Sequence, residues 1–144
     1  MLRTEISKKE LDNVIGKIEL LSKKMRQDVE FTINKSALKI ESDAKSRCVV
    51  DTGRLRSSIK TEKFGELGRQ VYTNVEYAPF VEFGTKGKVE TKIVGTDYSD
   101  IAIKFKRSSS TVGGVRPRPF LFPAFEMERP RIIQALKNLV NGKR

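Results

Sequence analysis

Apolar residues recur at helical spacing through the first third of the chain. Leu11, Val14, Ile15, Ile18 and Leu21 follow steps of three and four. Ahead of them Ser7-Lys8-Lys9-Glu10 has the form of a capping box, in which Ser7 accepts a backbone N–H and Glu10 reaches back. Gly16 weakens that helix without breaking it. A second series, Met25, Val29, Ile33, Ala37, Ile40 and Ala44, draws one stripe on a helix reaching about Arg47. Phe31 and Leu38, seven apart, broaden or duplicate it. Residues 7–47 are therefore expected to be helical, as one long helix or as two with a joint near Ser22–Met25. Such a stripe belongs to a core or a subunit interface.

Period two replaces this pattern downstream. Asp51-Thr52-Gly53 is turn chemistry: an acceptor side chain, then a residue free to take positive φ. Ser57–Phe64 and Arg69–Val75 read as strands around the polar loop Gly65-Glu66-Leu67-Gly68, with Val71, Thr73 and Val75 on one face and Tyr72 and Asn74 on the other. Val89–Val94 and Asp100–Lys106 read as two further strands. Ser108–Gly114 has loop composition, so 86–115 is expected to form an extended arm or a long hairpin. The prolines of Arg116-Pro117-Arg118-Pro119 keep the chain extended, and Pro123 fits the first turn of a terminal helix over 123–140. Ile132, Ile133, Leu136, Leu139 and Val140 give its apolar face, and Pro130 is expected to kink or restart it.

Between hairpin and arm lies Tyr77-Ala78-Pro79-Phe80-Val81-Glu82-Phe83-Gly84-Thr85. One helical turn would set Tyr77, Phe80 and Val81 on a single face, with Gly84 as the residue that stops it. Glu82 falls among rings, where a bare carboxylate is costly to bury. It either points to solvent, the reading that spacing favours, or caps or pairs with a basic group such as Arg54 or Arg56.

Composition narrows the chemistry. The 144 residues suit one domain with a real core. Histidine is absent, so no Ser-His-Asp or Cys-His arrangement can exist and the commonest zinc ligand is missing. Cys48 is alone, so neither a disulfide framework nor a cysteine metal cluster can form. No phosphate-binding loop motif, signal-peptide core or membrane-length apolar run occurs, and the expectation is a soluble protein without cofactor or metal, made in a reducing cytoplasm. The net charge of +11 favours polyanions without dictating a fold. Its excess lies in Lys104-Phe105-Lys106-Arg107, Arg116-Pro117-Arg118 and the tail after Glu128. A nucleic-acid patch and a merely soluble surface fit it equally well.

Three segments resemble one family. Val50-Asp51-Thr52-Gly53-Arg54-Leu55-Arg56-Ser57-Ser58-Ile59 resembles the V-D-T-G-x-L-x-x-S-I signature of the neck or tail-component proteins of long-tailed bacteriophages, founded on the tenth gene product of a lambdoid phage. Tyr77-Ala78 with Val81-Glu82-Phe83-Gly84-Thr85 is similar to its Y-A-x-x-V-E-F-G-T, and Pro119-Phe120-Leu121-Phe122-Pro123-Ala124 to its P-F-L-x-P-A. Order and flanking helices agree over nearly the whole chain. Val49 stands where the family usually has Pro, and 86–115 is longer than in a minimal member.

The resemblance implies an α+β fold, with helices packed on an antiparallel sheet, and a structural role without catalysis. It implies a virion protein: a ring of copies, six expected, at the head–tail junction. Its neighbours would be head-completion or connector proteins on one side and tail terminator or tube proteins on the other. Asp51, Thr52, Gly53, Leu55, Ser58, Tyr77, Ala78, Glu82, Phe83, Gly84, Thr85, Pro119, Phe120, Pro123 and Ala124 would shape this scaffold. The rings of Tyr77, Phe80 and Phe83 are expected to wedge the sheet against the long helix, and Phe120, Leu121 and Phe122 to dock the final one. Lys104, Lys106, Arg107, Arg116 and Arg118 are candidates to line a DNA passage. The rival readings are a small basic nucleic-acid-binding protein and a histidine-free ribonuclease toxin.

Overall fold

The computed structural model describes residues 2–4, 12–16, 23–49, 53–85 and 116–142. Strand β1 is Leu2–Thr4, helix α1 Lys23–Arg47, helix α2 Arg54–Ser58, strand β2 Lys60–Phe64, strand β3 Gly68–Thr73, helix α3 Ala78–Phe83 and helix α4 Leu121–Val140. The α+β expectation holds. The strands form an antiparallel sheet in the order β1-β3-β2. Thr61 faces Val71 in the hairpin, and Thr4 faces Val71 from the other side. Three residues carry too little pattern to announce β1, whose place depends on pairing with the central strand.

The stripe on α1 buries as its spacing predicts: Val29, Ile33, Ala37, Ile40 and Ala44 join the core with Ser36. At 100° per residue Phe31 and Leu38 fall on the opposite side, and there they stand 70% and 52% exposed. They duplicate the stripe rather than broaden it. Residues 12–16 are helical too, and Val14 packs against the core. Whether one N-terminal helix or two are present turns on 17–22, outside the described residues, as are the capping box at Ser7 and the strands expected within 86–115.

The expected strand start at Ser57 gives way to one helical turn. Ser57 and Ser58 donate their hydroxyls to the carbonyls of Arg54 and Leu55, three residues back, and the chain turns extended only at Ile59. Strand β3 ends at Thr73, two residues before the expected Val75, yet Val71, Thr73 and Val75 are buried and Asn74 is exposed. Helix α4 runs on through Pro130 without restarting. That proline is exposed, so the carbonyl it leaves unbonded can turn to water. The face α4 buries is Leu121, Ala124, Phe125, Glu128, Ile132 and Leu136, shifted toward the N-terminus from the one expected.

Candidate functional site

The second and third motif segments meet at Glu82. Its side chain is 1% exposed, and one carboxylate oxygen accepts the backbone N–H groups of Phe120 at 2.8 Å and Leu121 at 3.0 Å. The other accepts the N–H of Phe122 at 2.7 Å. These are the opening N–H groups of α4, which have no partner within the helix and carry its positive end. Phe120, at the cap position, has no side chain able to accept, so a residue 38 positions away does the capping. Beside it the N–H of Arg118 donates to the carbonyl of Val81 at 2.7 Å. The solvent-facing role that spacing favours for Glu82 is corrected, and so is a pairing with Arg54 or Arg56. The capping alternative holds, with main-chain donors.

Burial lifts the Glu82 carboxyl above its ordinary value, while the three N–H donors pull it back. Cys48 lies within reach of this charge. Burial raises its thiol foremost, the Arg56 guanidinium lowers it and Glu82 raises it again. A buried thiol with a raised pKa is a poor nucleophile.

Each segment feeds the junction locally. Gly53, at φ 74°, lets the chain enter α2 from a conformation that side-chain-bearing residues avoid. Leu55 and Ile59 then enter the core. The Ser58 hydroxyl shares a 2.6 Å hydrogen bond with that of Thr73, tying α2 to β3. The Ala78 N–H donates to the carbonyl of Val75 at 3.1 Å, turning the end of β3 into α3. Gly84 closes α3 at φ 68°, ψ 178°, extended with positive φ rather than left-handed helical, and donates to the Phe80 carbonyl. That region is open to glycine almost alone.

Of the expected wedge rings only Phe83 is buried; Tyr77 and Phe80 stand 39% and 37% exposed. In a helix of six residues the side that reaches the core carries Ala78 and Glu82, and Phe83 beside them, which turns Tyr77 and Phe80 outward. The docking residues fare as expected. Phe120, Leu121 and Ala124 are buried, and Phe122 packs on the core. Pro119, Pro123 and Thr85 are half-buried. Asp51, Thr52, Lys104, Lys106 and Arg107 lie outside the described residues. Arg116 and Arg118 are exposed.

Two polar ties went unread in the sequence. Ser36 donates to Glu128 at 3.2 Å inside the α1–α4 contact, and Arg131 also reaches Glu128. Arg69 on β3 bonds both Asn34 and Glu30 of α1. A signal existed for the first: Ser36 lies one turn from Ile33 and Ile40, and Glu128 one turn from Ala124, Phe125 and Ile132.

Comparison with known proteins adds one match. A family model described as "Bacteriophage HK97-gp10, putative tail-component" matches residues 12–84, half of the chain. No curated protein and no solved structure matches. The matched span contains the first motif and the second up to Gly84; the segment Pro119–Ala124 lies beyond it and joins through Glu82.

Proposed function

Because this chain belongs to the HK97 gp10-like family of bacteriophage tail components, we propose that it is a virion neck protein that joins or completes the head–tail interface. In this reading the whole chain is one domain, and six copies close a ring. Connector or head-completion proteins bind one side of the ring and tail terminator or tube proteins the other. The protein is made in the host cytoplasm and ends in the virion.

One observation carries the structural rather than catalytic part. Two polar side chains of the motifs are engaged in holding the fold: both oxygens of Glu82 take main-chain N–H groups, and the hydroxyl of Ser58 bonds Leu55 and Thr73. Groups so engaged cannot also transfer protons to a substrate. Their effect is to fix the relative positions of α2, α3 and α4, which is what a subunit meeting identical neighbours requires.

Light scattering of the purified protein over a concentration series, with and without isolated tail ends, tests this. The expected result is a ring species that grows with concentration and forms at lower concentration on tail ends. A monomer at every concentration that ignores tail ends would overturn the neck reading. Cleavage of added RNA would replace it with the ribonuclease one.

A further inference from the structure

Phe31 and Leu38 are the two most exposed large apolar side chains among the described residues. They also share one line of α1. At about 100° per residue Leu38 lies about 20° round from Phe31, with the buried stripe on the far side of the helix. Exposed apolar residues scattered singly are ordinary, and Phe64 and Met127, next in exposure, stand alone on β2 and α4. Two residues a heptad apart form a short seam of the kind that a second helix covers.

The charges beside the seam point to its occupant. Asp28 and Lys35 are both exposed, and they flank the seam on one side, about 60° and 40° round from Phe31. Seven residues separate them, about 10 Å along the axis, so they do not meet on their own helix. Midway between them stand Phe31 and Thr32. A second α1 laid antiparallel, with a two-fold axis passing beside Phe31, sets each flank against the same flank of the other copy. Asp28 of each copy then falls level with Lys35 of the other. One register makes two ion pairs and brings the two Phe31 rings together. In that register Leu38 falls level with Lys24 and Met25 of the other copy, and the aliphatic stem of Lys24 can cover it. Lys39 comes level with Lys24, but Asp43 stands 3.4 Å from its ammonium and offsets the repulsion.

We propose that α1 pairs with α1 of a second copy through Phe31 and Leu38, antiparallel and two-fold, with Asp28 of each copy against Lys35 of the other. A two-fold pair is closed, whereas a ring of six joins different surfaces head to tail. The pairing therefore belongs to the free protein and does not rest on the neck reading. Two apolar residues a side make an interface below the roughly 1,200 Å² of a stable one, so dissociation is expected at about 10–100 μM.

Sedimentation equilibrium of the full chain over about 1–300 μM tests the pairing. Wild type should pass from monomer to dimer across that range. Phe31→Ser and Leu38→Ser should each weaken the dimer at least about fivefold. Asp28→Lys and Lys35→Asp should each weaken it about five- to tenfold, and Asp28→Lys/Lys35→Asp together should return to within about twofold of wild type. Net charge alone would move the two single variants in opposite directions. Phe64→Ser, which removes an exposed ring from β2, should leave the dimer unchanged, and thermal melting checks that every variant is folded. A wild type that stays monomeric up to about 300 μM, a double variant no better than the single ones, or an equal loss from Phe64→Ser would each overturn the pairing. Isolated tail ends keep the two readings apart. Phe31→Ser should still assemble on them, and a wild type that assembles there without ever dimerising overturns the pairing alone.

Discussion

Glu82 is a buried carboxylate whose cost is met entirely by main-chain donors. Removing the acid leaves three N–H groups facing an apolar core, and each buried donor without a partner costs about 1–3 kcal/mol. Glu82→Ala should therefore lose about 3–5 kcal/mol in urea unfolding, a large part of the total for a domain of this size. Glu82→Gln should lose less, since its carbonyl still accepts while its amide confronts a donor. A loss under about 1 kcal/mol for the alanine variant would mean that water replaces the carboxylate. The pH dependence follows from the same burial. The folded-state pKa is raised above 4.5, chiefly by desolvation, so the folded protein binds this proton more tightly than the unfolded chain does. The contribution is fully present below 4.5, declines as pH rises through the folded value and is flat above it. The stability of wild type relative to Glu82→Gln should fall as pH is raised from about 4.5. Denaturant titrations of both proteins across that range would show a rise if the three donors outweighed burial.

Helix α1 carries one long apolar stripe, and spacing leaves open whether Phe31 and Leu38 broaden or duplicate it. Packing decides it. Ile40 is 3% exposed, whereas Leu38, two residues earlier, is 52% exposed. Ile40→Ala should cost about 2–4 kcal/mol through lost burial and the cavity left behind. Leu38→Ser should stay within about 0.5 kcal/mol. Chemical denaturation of the two variants side by side checks the assignment, and equal losses would contradict it. Helix α3 teaches the same lesson on a shorter scale. Its ring spacing suggested a face of Tyr77, Phe80 and Val81, yet the face that reaches the core is the one that delivers Glu82 to α4. In a helix of six residues a single polar tie of this strength outweighs ring packing.

Across the whole molecule the junction closes the chain on itself. Val81 and Arg118 are bonded to one another, and Glu82 fixes the residues that follow. The stretch from 86 to 115 therefore leaves and returns at one clamped base, whose described bonds join residues outside it. Replacing 86–115 by about six Gly/Ser residues should leave the fold intact and raise stability by about 1 kcal/mol, the closure entropy saved by a shorter loop. Calorimetry would register this as an unchanged or slightly higher melting temperature. A loss of more than about 3 kcal/mol would show instead that the stretch contributes to the core.

The chain's own pattern determined the long α1, the β2–β3 hairpin, the terminal helix and the positive-φ glycines at 53 and 84. Each follows from periodicity or backbone sterics within a few residues. It also showed three motif segments, without showing that the second and third touch. Contact between Glu82 and Phe120–Phe122 joins positions about forty apart, and main-chain N–H groups leave no mark in a side-chain pattern. Only the folded chain could leave Phe31 and Leu38 in solvent, turn Tyr77 and Phe80 outward, and set Glu82 on main-chain donors instead of in solvent. Burial and long-range hydrogen bonding belong to the whole structure.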